Sequence, residues 1–195
     1  MTGRPLWASL LGLSYLAGSI PFGLLIARAV TGKDVRAVGS GNIGATNVAR
    51  AAGRTAAIAT LVLDALKGLF PVLFALRSGD PQAGLLGASC ALAAVLGHCF
   101  PVWLRFRGGK GVATGLGVAL ALSPPAALAG GVTWLLLYKG FKVSSIGSLG
   151  GVSVALVVAA LWAPRSAVLG LGAIALVILL RHEGNVRRLL RREEK

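Results

Sequence analysis

A succession of apolar runs long enough to cross a membrane, separated by short polar turns, constrains this chain more than any other feature. Hydrocarbon offers no hydrogen-bond partners, so each crossing of about 30 Å takes a helix of about 20 residues. Candidate spans fall at 6–30, 52–76, 83–104, 145–162 and 167–180. A further apolar region, 112–138, is interrupted by Ser123-Pro124-Pro125. Paired prolines break helices, which leaves one kinked helix or two short ones there. Composition agrees: 55% of residues are hydrophobic and 13% charged, where a soluble domain carries about 25% charged. The first run resembles a signal peptide only loosely, since no small-residue cleavage site ends it, and reads as the first transmembrane helix.

Charge placement chooses between the two options. With two helices in 112–138, one side of the membrane receives Arg28, Lys33, Arg36, Arg50, Arg54, Arg105, Arg107, Lys110, Lys139, Lys142 and the basic tail from Arg181. The other keeps Arg4, Arg77 and Arg165. A single kinked helix spoils that asymmetry. The positive-inside rule therefore predicts an all-α polytopic bundle of seven transmembrane helices, N-terminus outside and C-terminus cytoplasmic. One domain, 1–195, accounts for the length. Every polar, glycine-rich segment (31–51, 105–111, 139–145 and 181–195) then faces the cytoplasm, so a site built from them opens to the cytosol and the inner leaflet.

The net charge of +14 does not indicate nucleic acid, because the basic residues lie between apolar runs and form no single face. An anionic membrane surface and anionic substrates fit better. Cys90 and Cys99 match no metal motif and read as small packing residues. No metal cluster and no nucleotide motif is present, so no cofactor is implied.

Three polar segments are candidates for chemistry. The plain alternatives are a flexible cytoplasmic loop with Arg50 marking the interface for the first, and a basic positive-inside turn with glycines for tight reversal for the second. In Gly39-Ser40-Gly41-Asn42-Ile43-Gly44-Ala45-Thr46-Asn47-Val48-Ala49-Arg50, glycines followed by hydroxyl and amide side chains suit a loop wrapped around a polar ligand. Arg50 can bind phosphate bidentately. In Arg105-Phe106-Arg107-Gly108-Gly109-Lys110-Gly111-Val112-Ala113-Thr114, Lys110 resembles a P-loop lysine, but the glycine spacing and the preceding strand are missing. What survives is positive charge and N–H donors at a helix N-terminus, an anion seat. In Arg181-His182-Glu183-Gly184-Asn185, His182 and Asn185 share a face where the last span meets the cytosol; His182 is a base or donor, or else an interfacial residue. Asp64 and Lys67, at i,i+3 in mid-span, can neutralise each other as a structural pair or belong to a site. His98 reads as a helix–helix hydrogen bonder. Arg187, Arg188, Arg191 and Arg192 read most simply as lipid-headgroup contacts.

Together, Ser40-Gly41-Asn42-Ile43-Gly44-Ala45-Thr46-Asn47-Val48-x-Arg50, Gly97-His98-x-Phe100-Pro101 with Phe106-x-Gly108-Gly109-Lys110-Gly111-Val112-Ala113-Thr114, Ser145, and Arg181-His182-x-x-Asn185 resemble the bacterial acyl-phosphate:glycerol-3-phosphate acyltransferases. The resemblance runs from Gly18-Ser19-Ile20-Pro21-Phe22-Gly23 to the tail. The tail departs from the family pattern at Glu183 and at Arg191-Arg192. The resemblance implies a seven-helix enzyme of the bacterial inner membrane that moves an acyl group from acyl phosphate to position 1 of glycerol 3-phosphate, giving lysophosphatidic acid. The His-x4-Asp pattern of other glycerolipid acyltransferases is absent, since neither His98 nor His182 has an aspartate five positions on.

Both substrates would carry phosphate. Ser40, Gly41, Asn42, Thr46, Asn47, Arg50, Gly108, Gly109, Lys110, Gly111 and Thr114 are the expected phosphate-binding residues. Ser145, His182 and Asn185 are expected to hold glycerol 3-phosphate and orient its 1-hydroxyl, with the proton passing to His182 or to a substrate phosphate oxygen. Membrane lipid is the surrounding partner and a monomer is expected. A small-anion transporter and a lipid-binding scaffold are the rival readings. No midplane charge series supports the first, and the second leaves the glycine-rich segments unexplained.

Overall fold

The structure, a computed structural model, describes residues 3–194; Met1, Thr2 and Lys195 of the expected 1–195 domain lie outside it. The first apolar run is not one helix. It divides into α1 (Arg4–Ser19) and α2 (Phe22–Thr31), with Ile20 extended at φ −63°, ψ 117°. The cause is Pro21, which disfavours helical backbone in the residue before it and brings no N–H. The Ile20 carbonyl accepts instead from Phe22 N–H, at 3.1 Å, and from Lys67 Nζ, at 2.7 Å. Lys67 in turn pairs with Asp64, one turn away and as deeply buried, at 2.7 Å. His98 Nδ1 stands 3.7 Å from the same carboxylate.

The second run starts earlier than expected. Helix α3 (Ala45–Leu76) takes in the end of the glycine-rich loop and is broken at Gly53, whose φ of 86° and ψ of 176° are non-helical. Helix α4 (Ala83–Cys99) follows. The region 112–138 forms two helices, α5 (Val112–Leu122) and α6 (Pro124–Phe141), parted at Ser123 with φ −158°, ψ 86°. Pro124 opens α6, where a missing N–H leaves no helical bond unmade. Helices α7 (Ser144–Trp162) and α8 (Arg165–Arg181) complete the apolar set, and α9 (Glu183–Leu190) departs from α8 at a bend of 57°. Among the described residues four segments combine the length and apolarity of a span: Arg4–Thr31, Ala45–Leu76, Ala83–Leu104 and Ser144–Trp162. The bent pair α8–α9 passes the same test as a unit, and α5 is shorter.

The distribution of side chains inverts that of a water-soluble protein. Large apolar groups face outward, Phe74 at 68% and Trp162 at 71% exposure among them. The interior favours small and polar residues, with Ala27, Ala75, Ala91, Ala94, Ser19 and Thr60 fully buried. Helices in lipid gain nothing by hiding leucine from leucine, so close backbone approach and internal hydrogen bonds hold them together. The α3–α5 seam is the clearest case. A Cβ on Gly68 would strike the Thr114 carbonyl, and one on Gly117 would strike the Ala65 carbonyl. Only glycine permits that contact. It seats the start of α5, and with it the turn bearing Lys110, against α3. Cys90 and Cys99 are buried free thiols.

Replacing Lys67 by methionine removes the ammonium from the buried Asp64 carboxylate and takes away one of the two donors to the Ile20 carbonyl, which keeps only Phe22 N–H. K67M is expected to lose ~3–5 kcal/mol of stability, read as a lowered thermal midpoint in detergent. The double variant D64N/K67M should recover part of that loss; equal losses would show that the pair is not coupled.

Candidate active site

A cavity of about 1100 Å³ opens between the 39–50 segment, the 110–111 turn, the start of α7, and α9. Its polar end is lined by Ser40, Asn42, Thr46, Asn47, Arg50, Lys110, Gly111, Ser145, His182 and Asn185, which brings ten expected site residues to one space. An apolar limb runs inward between helices, past Leu61, Leu116, Trp134, Val152, Leu156 and Ile174. The site therefore has one end suited to an anion and another suited to hydrocarbon.

The 39–47 loop folds around Asn47. Its amide nitrogen donates to the carbonyls of Val35, Val38 and Asn42, each at 2.9 Å, and its oxygen accepts from Ser40 N–H at 3.0 Å. Asn47 thus holds the loop together, and its amide is spent on that task and not on a phosphate. Gly41 donates its N–H to Val38 at 3.1 Å and does not line the cavity. Asn42 accepts from Gly44 N–H at 2.9 Å and lines the cavity. Thr46 shares a 3.0 Å hydrogen bond with Ser144, tying α3 to α7.

The Gly108–Gly111 turn also differs from expectation. Gly108 N–H donates to Cys99 O at 3.1 Å and Gly109 N–H to His98 O at 3.0 Å, so neither is offered to an anion, and neither glycine lines the cavity. They are glycine because the His98 ring and carbonyl leave no room for a Cβ. Arg181 clamps the turn from the other side, donating through Nε to Gly109 O at 3.1 Å and through Nη2 to Gly108 O at 3.0 Å. Its guanidinium lies 5.2 Å from the Phe100 ring centre. Thr114 is fully buried against Gly68 on α3 and lies outside the cavity lining. Of the expected residues in the segment, Lys110 and Gly111 line the cavity.

Lys110 Nζ donates to Asn185 Oδ1 at 2.6 Å. Burial pushes its pKa down to about 8, Arg188, Arg181 and Arg50 adding to the shift and Glu194 opposing it. His182 is buried, and its Nδ1 donates to Ile178 O at 2.8 Å, the carbonyl being able only to accept. That bond leaves the lone pair on Nε2. Burial, with Lys110 and Arg181 nearby, holds its pKa below the ordinary histidine range, so it is neutral near pH 7. Ser145 Oγ donates to Glu194 Oε1 at 3.0 Å, and Arg188 Nε to Glu194 Oε2 at 2.5 Å.

Sequence reasoning missed Arg188, which lines the cavity, and the clamping role of Arg181. Both had a signal: His182, Asn185 and Arg188 recur every three residues along one helical face, and Arg181 adjoins that face. Glu194 offered none. Among the described residues no group of three His, Cys, Asp or Glu side chains could hold a metal.

Residues 8–192 match the family described as glycerol-3-phosphate acyltransferase. Among curated relatives, a glycerol-3-phosphate acyltransferase of Anaeromyxobacter sp. (strain Fw109-5) is 54% identical, covering 100% of this chain and 98% of its own. One from Myxococcus xanthus (strain DK1622) is 49% identical over 96% and 98%. Two crystal structures of PlsY, an integral membrane glycerol 3-phosphate acyltransferase, are similar throughout. The glycerol 3-phosphate form superposes with a TM-score of 0.91 at 38% identity, covering 97% of this chain and 94% of that one. The lysophosphatidic acid form gives 0.88 at 37% identity with the same coverage.

Lys110 attracts an anion only while protonated, and its pKa of about 8 sets where that attraction fades. Affinity for inorganic phosphate, measured by calorimetry in detergent, is expected to fall by up to about tenfold per pH unit above about pH 8. K110M should bind weakly with a flat profile over that range. An unchanged slope in K110M would assign the titration to another group.

Proposed function

The chain belongs to the glycerol-3-phosphate acyltransferase family, and from that premise we propose that it transfers a fatty acyl group from acyl phosphate to the 1-hydroxyl of glycerol 3-phosphate, yielding lysophosphatidic acid and inorganic phosphate. The observation that carries this reading is the cavity itself, in which a cationic end lined by Arg50, Lys110 and Arg188 continues into an apolar limb between helices. An acyl donor needs both ends; glycerol 3-phosphate needs only the first.

The chemistry follows from the polar end. Arg50 and Lys110, with Ser40, Asn42 and Gly111 beside them, take the phosphate of the acyl donor. Ser145, Asn185 and Arg188 take that of glycerol 3-phosphate. The 1-hydroxyl oxygen attacks the acyl carbon, the bond from that carbon to the phosphate oxygen breaks, and His182 Nε2 accepts the hydroxyl proton. Acyl phosphate is a mixed anhydride with a good leaving group. Alignment and neutralisation of the departing phosphate therefore supply most of the acceleration. No covalent acyl-enzyme is needed.

Seven transmembrane helices, an outer N-terminus and a cytoplasmic C-terminus form the proposed topology, with the whole chain as one catalytic domain in the bacterial inner membrane. The division of 112–138 into two helices supports the count. The gathering of Arg50, Lys110 and Arg188 at one cavity mouth supports a site open to the cytoplasm. The shortness of α5 is met by tilt or local thinning of the bilayer. A monomer carries every residue the reaction uses.

Purified protein is expected to release inorganic phosphate from palmitoyl phosphate only when glycerol 3-phosphate is supplied, with lysophosphatidic acid formed in equal amount. H182A should lower kcat by about 10²–10⁴-fold. Near-normal turnover in H182A would pass the proton to a substrate phosphate oxygen; no turnover in well-folded wild-type protein would end the proposal.

A further inference from the structure

One hydrogen-bonding cluster at the polar end is centred on a negatively charged side chain. Glu194 Oε1 accepts from Ser145 Oγ at 3.0 Å and from Asn185 Nδ2 at 2.5 Å, while Oε2 accepts from Arg188 Nε at 2.5 Å. Lys110 completes the set by fixing the other end of the Asn185 amide at 2.6 Å. The Glu194 side chain is only 9% exposed, although the segment bearing it lies past the last helix. The chain returns to the site because α9 ends in a reversal. Arg192 takes a left-handed φ of 58°, unfavourable for a side chain of that kind, and Glu193 N–H donates back to Arg188 O at 2.8 Å.

These are donors that a phosphate ester would use. We propose that Glu194 is a built-in competitor of glycerol 3-phosphate: its carboxylate occupies the seat formed by Ser145, Asn185 and Arg188, and substrate binds by displacing it. The inference rests on the function proposed above. A carboxylate offers one charge and two oxygens; a phosphate ester near pH 7 offers up to two charges and three peripheral oxygens. The phosphate therefore wins when present in sufficient amount. A free carboxylate does not, because it brings the same chemistry without the effective concentration of a tethered group. Glu194 thus raises the concentration at which the site fills and screens out monoanionic carboxylates.

The test compares wild type with E194Q in full-length protein in detergent, using palmitoyl phosphate and glycerol 3-phosphate. E194Q is expected to lower KM for glycerol 3-phosphate by about fivefold, with kcat and the KM for palmitoyl phosphate little changed. Acetate, inert toward wild type, should become a weak competitive inhibitor of E194Q. In wild type, glycerol 3-phosphate should accelerate hydrogen exchange at Glu193 N–H, a measurement that stands even if the variant folds poorly. An unchanged KM together with unchanged exchange would show the contact to be idle. A raised KM in E194Q would make Glu194 a support of the site, not a competitor. Either result overturns the proposal while leaving the acyltransferase reading intact, which fails only if wild type itself does not turn over.

Discussion

The site depends on Arg181 holding the turn that precedes α5. One guanidinium takes the carbonyls of Gly108 and Gly109 and rests on Phe100. The opposite edge of the same turn is bonded to the end of α4 through Cys99 O and His98 O. With both edges held, Lys110 extends from the turn to Asn185. Arg181 adjoins His182, so the residue that fixes the turn also begins the strip of His182, Asn185 and Arg188. A planar fork donating to two neighbouring carbonyls does this better than a flexible ammonium could.

A second constraint explains which residues line the cavity. Polar backbone beside a membrane interior has to be satisfied within the protein. Asn47 closes four hydrogen bonds inside the 39–47 loop, and the N–H groups of Ser40, Gly41, Gly108 and Gly109 all have internal acceptors. The glycine-rich segments therefore build the walls. The cavity lining passes to side chains long enough to extend beyond them, chiefly Arg50, Lys110 and Arg188, with Ser145 and His182 at helix ends.

Much of the architecture was legible because span length and charge asymmetry are one-dimensional signals. The helical runs and the two-helix reading of 112–138 follow from apolarity and from Ser123-Pro124-Pro125. Other features depend on contacts between distant segments. Pro21 is visible in the sequence, but not that Lys67, far along the chain, joins Phe22 N–H in satisfying the Ile20 carbonyl at the break. Gly108, Gly109 and Thr114 lie in the right motif yet serve packing, because His98 and Gly68 decide what space surrounds them. Arg188 was read as a headgroup contact because the 57° bend that turns α9 over the cavity leaves no mark in hydropathy.

The glycine seam between α3 and α5 has one more consequence. There backbone meets backbone, at Gly68 against Thr114 and Gly117 against Ala65. Apart from the Thr114 methyl, little side chain lies between the two helices there to cushion a shift, so the seam acts as a jig of fixed spacing. The turn bearing Lys110 leads straight into the α5 side of that jig, whereas Arg50 stands beyond the break at Gly53 on α3. Whatever compliance the enzyme needs to admit reactants of different bulk is left to the parts fastened by side chains alone.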